Sequence, residues 1–326
     1  MEETLKNKKI KTSVGGQAVI EGVMMRGKAG IATAVRINDN EIKVNKNKYE
    51  STTKKHKIFS LPIIRGFISL IESLIIGIKS LNYSAALLET DEDEEESKFD
   101  KWFEKVFKDK TEDVLLGISL VISLIFTTIL FFIIPTTIAN LTKRYLTNNV
   151  FLLNIIEGII RVIIFFAYII LIGRMKDIQR VFMYHGAEHK SIACYESGEE
   201  LTPENAKNFT RFHPRCGTNF LFLVMIISII VFSFTGWQSL AQRIISRVLL
   251  LPIVSGITYE VIRFLGKSKS KISKCIAKPG LMLQKLTTRE PDLKMLEVAI
   301  VALKEAEGIN DGKEKGVTYE SKSIID

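Results

Sequence analysis

A chain of 326 residues that is 47% hydrophobic, with a mean hydropathy of +0.17, is too apolar for an ordinary soluble protein that is also 25% charged. The net charge of +9 invites a nucleic-acid reading, but no helix-turn-helix or aromatic-interleaved basic motif accompanies it, and much of the excess flanks apolar runs, where basic residues meet lipid headgroups. Three cysteines, an odd number without framework spacing, fit a reducing compartment. The expectation is therefore a mostly α, polytopic membrane protein whose partner is membrane lipid and not nucleic acid.

In chain order, MEETLKNKKIKTS is polar and lacks the apolar core of a signal peptide. Residues 14–30 carry five glycines and read as a tight loop with short extended pieces. Residues 31–49 alternate apolar and polar around Asn38-Asp39-Asn40, a β-hairpin pattern. Residues 1–60 thus form a Gly-rich and β-hairpin element. Residues 61–88 read as an amphipathic helix, interfacial or membrane-crossing, with Arg65, Glu72 and Lys79 on one face. Residues 89–113 follow as an acidic linker and juxtamembrane helix.

The run 114–134 holds no charge and stops at Pro135, long enough to cross roughly 30 Å of hydrocarbon as a helix. Residues 151–173, 218–236 and 244–265 give three more candidates. The second carries Glu157 and Arg161, four residues apart and able to neutralise each other, and the fourth carries Arg247, Glu260 and Arg263. About four transmembrane helices are expected over 114–265. Lys and Arg are dense in 174–217 and after the last span and sparse in the other connections, where Lys143, Arg144 and Arg243 lie. Basic loops stay cytoplasmic. The fold expected is four spans with a small cytoplasmic α+β cap, in the cell membrane, both termini cytoplasmic. Residues 266–308 form a C-terminal segment whose amphipathic helix starts at Asp292, and 309–326 a flexible tail.

The sharpest chemistry lies in the loop 174–217. His185-Gly186-Ala187-Glu188-His189 is followed by His213-Pro214-Arg215-Cys216, four candidate metal ligands close together in a chain otherwise poor in them. If 185–189 are helical, His185 and His189 share a face with Glu188 beside it. The order His-x-x-Glu-His is also that of the inverzincins, in which the Glu is a general base. Imidazole and thiolate together favour zinc over magnesium or calcium. Cys194 reads as a small buried thiol, Cys275 as a filler. Glu260, near the cytoplasmic end of the last span, is a candidate partner orienting a ligand.

Four longer segments, GGQAVIEGVMMRG, MYHGAEHKS, FHPRCGTNFL and KPGLMLQKLTTREPD, resemble the YqhQ-like family of bacterial integral membrane proteins, which has no assigned function and is described as a set of candidate metal-dependent enzymes. The resemblance covers nearly the whole chain. It implies His185, His189, His213 and Cys216 as metal ligands, with Glu188 and Glu21 as functional carboxylates.

The function expected is a zinc-type hydrolase at the cytoplasmic membrane face, with Glu188 as base and a lipid-linked or membrane-presented substrate. Catalysis needs an open position beside three ligands, whereas a closed set of four would make the protein a metal-stabilised scaffold or assembly factor. A transporter is the third reading. It is weakened by the placing of the ionisable cluster in a loop and by the lack of a broken-helix repeat.

Overall fold

A computed structural model of the chain describes residues 10, 12–88, 111–145, 147–236, 239–267, 270–309 and 316–320. Nearly all of the expected acidic linker, most of the polar tail and the N-terminal stretch lie outside these residues. The protein is mostly helical with one small sheet. It divides into two units, one formed by the described residues of Met1–Leu88, Ile169–Ile227 and Leu250–Asp326, the other by those of Glu89–Tyr168 and Ser228–Leu249.

In the first unit, strands β1 (Gly15–Val19), β2 (Gly22–Arg26), β3 (Ile31–Asn38) and β4 (Glu41–Asn47) form an antiparallel meander. The β3–β4 turn is the one signalled by Asn38-Asp39-Asn40, and the Asn38 side chain accepts from Asn40 N at 3.0 Å. A fifth strand, β5 (Val317–Glu320), lies parallel beside β4, where the sequence suggested a flexible tail. Backbone pairing recruits this polar segment without needing an apolar pattern.

The helices are α1 (Thr52–Lys55), α2 (Ile64–Leu88), α3 (Thr111–Thr128), α4 (Ile134–Tyr145), α5 (Val150–Ile172), α6 (Lys176–Ser197), α7 (Pro203–Ala206), α8 (Gly217–Ser233), α9 (Leu240–Lys267), α10 (Lys271–Thr287) and α11 (Leu293–Glu307). A π turn, Ile129–Ile133, joins α3 to α4. Strand periodicity sends Val23, Met25, Ala32 and Ala34 to one face of the sheet, into a core with Tyr184, Ala187 and Ile192 of α6 and with Leu296, Ala299, Ile300 and Leu303 of α11. The opposite face sends Val19, Met24, Ile31 and Val35 against Ile76 of α2. The sheet is thus buried on both sides. Alanines at 32 and 34 keep one face low enough for a helix to lie close. Helix α11 begins at Asp292, whose carboxylate accepts from Met295 N at 2.8 Å, and ends at Gly308, which takes the left-handed conformation at φ 74°.

The region 174–217, expected as a loop, is largely helical, and α6 alone takes 22 residues of it. Its C-terminal half is buried although it contains Glu188, His189, Lys190 and Ser191. Such burial of polar groups requires partners, and it is here that the site is built.

In the second unit Glu157 of α5 meets Arg161 at 2.9 Å and Arg247 at 2.5 Å, and it also accepts from Arg243 and, at 3.0 Å, from Thr136 Oγ1. The expected Glu157–Arg161 pair is one edge of this larger cluster. Arg243, assigned by the sequence to a connecting loop, belongs to α9 and faces Glu157. Pro135 has no N–H to offer the carbonyl four residues before it, and that carbonyl, Phe131 O, accepts from Arg161 Nε at 2.9 Å.

Among the described residues three helical stretches are long and apolar enough to cross a membrane: Gly117–Lys143, Val150–Ile172 and Ala241–Leu265. Four were expected. The other candidate, α8, has 17 residues, a rise of about 25 Å against roughly 30 Å of hydrocarbon.

Candidate metal centre

Helix α6 sets His185 and His189 one turn apart with ring centroids at 4.5 Å. His185 Nδ1 lies 2.9 Å from Thr287 O and His189 Nδ1 lies 2.5 Å from Arg211 O. A carbonyl can only accept, so both Nδ1 atoms carry the proton and both Nε2 atoms present lone pairs. His185 Nε2 is 3.1 Å from Cys216 Sγ. The donor atoms of His185, His189 and Cys216 all lie within 4.8 Å of one another.

This donor set fits a zinc-type ion. Tetrahedral zinc with nitrogens at ~2.0–2.1 Å and sulfur at ~2.3 Å spaces its donors roughly 3.4–3.6 Å apart, so small side-chain adjustments suffice. Carbonyl acceptors behind both imidazoles supply the usual outer support of histidine ligands. His189 Nε2 is buried without a hydrogen-bond partner, an orphaned lone pair beside two other donors. Burial holds the His189 ring below its ordinary pKa, with the Cys216 contact opposing, which favours the neutral form that binds metal.

Glu188 points elsewhere on the same helix. Its carboxylate sits against Gly16 of β1, where an added Cβ would come within 3.2 Å of the Glu188 carboxyl carbon. Oε2 is buried and lacks a partner. Burial raises its pKa, and the neighbouring His185 and the Gly16 amide oppose that shift without reversing it. Together with His213 and Cys216 it lines a cavity of about 810 Å³.

His213 stands beside the three donors without joining them. Its ring centroid is 5.7 Å from that of His189, and its Nε2 is 3.8 Å from Glu196 Oε2. The two carboxylates proposed as supporting groups are engaged elsewhere. Glu21, a non-glycine residue at φ 49° in the β1–β2 turn, pairs with Arg180 and accepts from Tyr184 Oη at 3.2 Å. It pins that turn to α6. Glu260 is held by Arg65 through Nε at 2.6 Å and Nη2 at 2.5 Å, tying α9 to α2. Cys194 lies in the core, where burial pushes its thiol up to about 11, and Cys275 is exposed.

The sequence pointed to the candidate donors His185, His189 and Cys216 and missed what holds them. Gln284 of α10 accepts from His213 N at 2.8 Å and donates to His213 O at 2.8 Å, fixing the turn that delivers Cys216. Thr287 O orients His185, and Arg289 N donates to Phe182 O at 2.8 Å. Gly186 is placed where a Cβ would meet the Arg289 carbonyl. The signal was present in KPGLMLQKLTTREPD: a glutamine amid the apolar positions of a helix has to find polar partners.

The family described as "Protein of unknown function (DUF1385)" matches residues 61–308. The chain is also 35% identical over 298 residues to the "Uncharacterized protein YqhQ" of Bacillus subtilis (strain 168), covering 91% of this chain and 93% of that protein. No solved structure matches it.

Proposed function

Because the chain belongs to the DUF1385 family, whose function is unassigned, we propose its activity from the site itself: a metal-dependent hydrolase with His185, His189 and Cys216 as ligands and Glu188 as general base. The observation that carries this reading is a three-donor cluster one of whose members, Cys216, lines the same cavity as the orphaned, buried carboxylate of Glu188. Three protein ligands leave a coordination position open, as catalytic zinc sites do. A zinc-type ion held there would supply Lewis acidity, making water acidic enough to lose a proton near neutral pH. Glu188 takes that proton at Oε2. Its raised pKa suits a base that must later return the proton to a leaving group. His185 and His189 are kept in the ligating tautomer by Thr287 O and Arg211 O.

We place the protein in the cell membrane, with α8 as a fourth span and with α6 and both termini on the cytoplasmic side, on the strength of the Lys and Arg distribution. A lipid-linked or membrane-presented substrate suits that location. The second reading is a closed structural site, favoured by the His213 ring 5.7 Å from that of His189. A rotation of His213 away from Glu196 would supply a fourth ligand, and the protein would be a scaffold.

Glu188→Gln separates the two. In the enzyme the variant keeps its zinc, measured on purified protein, and fails to complement a deletion strain. Full complementation by Glu188→Gln, together with loss of zinc and function in His213→Ala, decides for the scaffold.

A further inference from the structure

The 810 Å³ cavity that Glu188, His213 and Cys216 share lies wholly within the first unit and is also lined by Arg26, Lys28 and Arg215. Lys28 is paired with Glu307 at 3.3 Å, and Arg215 is paired with Glu196. Arg26 differs from both. Its guanidinium lies over the Tyr49 ring, 4.4 Å from the centroid, and among the described residues it has no carboxylate partner. A cation stacked in place on a cavity wall and not neutralised there is arranged to receive an anion, and the planar fork of a guanidinium matches phosphate oxygens two at a time. Gly15, Gly16 and Gly27 keep neighbouring stretches of that wall free of side chains.

The rest of the lining is mixed, with Ser13, Gln17, Ser51 and Ser73 beside an apolar part. Met24, Ile76 and Tyr259 contribute to it. Ile76 belongs to α2, which exposes Leu74, Ile75 and Ile78, and Tyr259 lies within Ala241–Leu265, a stretch long and apolar enough to cross a membrane. The volume falls at the upper end of ligand pockets, about 300–1,000 Å³, and far exceeds what an inorganic ion needs. Glu188, 5% exposed and with one oxygen unpartnered, lines the same space.

We propose that the cavity takes a phosphomonoester head group borne by an amphiphile, with Arg26 as its anchor and Met24, Ile76 and Tyr259 against its apolar part. The proposal rests on the hydrolase reading only in taking this head group as what Glu188 acts upon; the binding itself stands apart from it.

The test titrates a fluorescent short-chain phosphatidic acid into the purified full-length protein in detergent, with phosphatidylcholine of equal chain length and glycerol 3-phosphate as competitors. Zinc is measured on the same samples. Phosphatidic acid binds, phosphatidylcholine does not displace it, and glycerol 3-phosphate displaces it at least about tenfold more weakly because it lacks the apolar part. Arg26→Gln weakens binding by roughly tenfold or more, the scale of one charge-assisted hydrogen bond. Arg26→Lys, which keeps the charge and loses the fork, falls between, and Lys278→Gln, the same charge change at an exposed site on α10, binds as wild type. Equal binding by Arg26→Gln and wild type overturns the proposal, as does equal competition by phosphatidylcholine or by glycerol 3-phosphate. If Arg26→Gln does not fold, wild-type binding by Arg26→Lys overturns it instead. Zinc without Arg26-dependent binding defeats this proposal alone, and Arg26-dependent binding without zinc defeats the metal reading alone.

Discussion

His185 Nε2 and Cys216 Sγ stand 3.1 Å apart, one from the middle of a long helix and the other from the residue just before another. One further helix, α10, aims both sides of the contact, through Thr287 O on His185 and the Gln284 clamp on His213. His185→Ala, His189→Ala and Cys216→Ser are each expected to cut bound zinc from about one equivalent to well under half, read by elemental analysis of the purified protein. Chelation should also lower the thermal midpoint, since a ligand at 100 times its Kd stabilises by about 2.7 kcal/mol. Full zinc retention in the His185→Ala/His189→Ala double variant would sink the site.

Gly186→Ala tests the packing behind the ligands. The new methyl meets the Arg289 carbonyl, and the segment that carries Thr287 O must retreat. A loss of about 1–3 kcal/mol is expected from overpacking, together with weaker zinc binding although no ligand has changed. A variant that keeps wild-type zinc affinity would show that Thr287 O does not orient His185.

Glu196 gives an acid-side prediction. Burial pushes its carboxyl up, but His213 and Arg215 more than offset this and leave it below the ordinary 4.5. A carboxyl depressed in the folded state stabilises fully above the unfolded value, and that contribution is lost as pH falls through the folded one. Below about pH 4.5 the thermal midpoint of the wild type should therefore fall more steeply than that of Glu196→Gln. Parallel pH profiles would count against the His213–Glu196–Arg215 grouping.

In the second unit Glu157 is the carboxylate that Arg161, Arg243 and Arg247 share. Glu157→Gln keeps the shape and leaves the guanidiniums facing one another, which should cost about 3–5 kcal/mol, the usual result of removing one partner of a buried ion pair. Melting in detergent reads the loss. Adding Arg247→Gln should recover part of it, and an unchanged midpoint in the single variant would show that the charges are neutralised by other means.

Thiol labelling checks both burial and sidedness. Cys194, in the core, should resist alkylation until the protein unfolds, while exposed Cys275 reacts in open membranes. In intact cells an impermeant reagent should miss all three cysteines, because we place them on the cytoplasmic side. Strong labelling of Cys275 from outside would reverse that orientation.

Much of the fold was readable where local chemistry is self-sufficient. Asp292 and Gly308 announced both ends of α11, and Asn38 to Asn40 announced a hairpin. Helix α6 was harder. Its buried half carries Glu188, His189 and Lys190, so the apolar stripe that betrays a helix is interrupted by polar groups whose partners come from elsewhere in the chain. Lys190, for instance, finds Lys207 O and Glu290. Arg243 looked like a loop residue for the same reason, its partner being 86 residues away. At the candidate centre the donor types that come together could be read from spacing, whereas the Gln284 side chain and the Thr287 carbonyl act through contacts with a backbone group at one end, which no motif spells out.

The carbonyl left free by Pro135 has a consequence of its own. In hydrocarbon a guanidinium cannot be hydrated, and an unbroken helix has no spare oxygen to lend it, since every interior carbonyl is taken. By withholding one amide, Pro135 turns Phe131 O into a fixed substitute for a water molecule on Arg161. The helix gives up one rung of its own ladder so that a cation 30 residues further along the chain, on the next helix, can live without solvent. Pro135→Ala would mend the ladder and strand the charge, so a substitution that improves helix propensity should make this protein less stable.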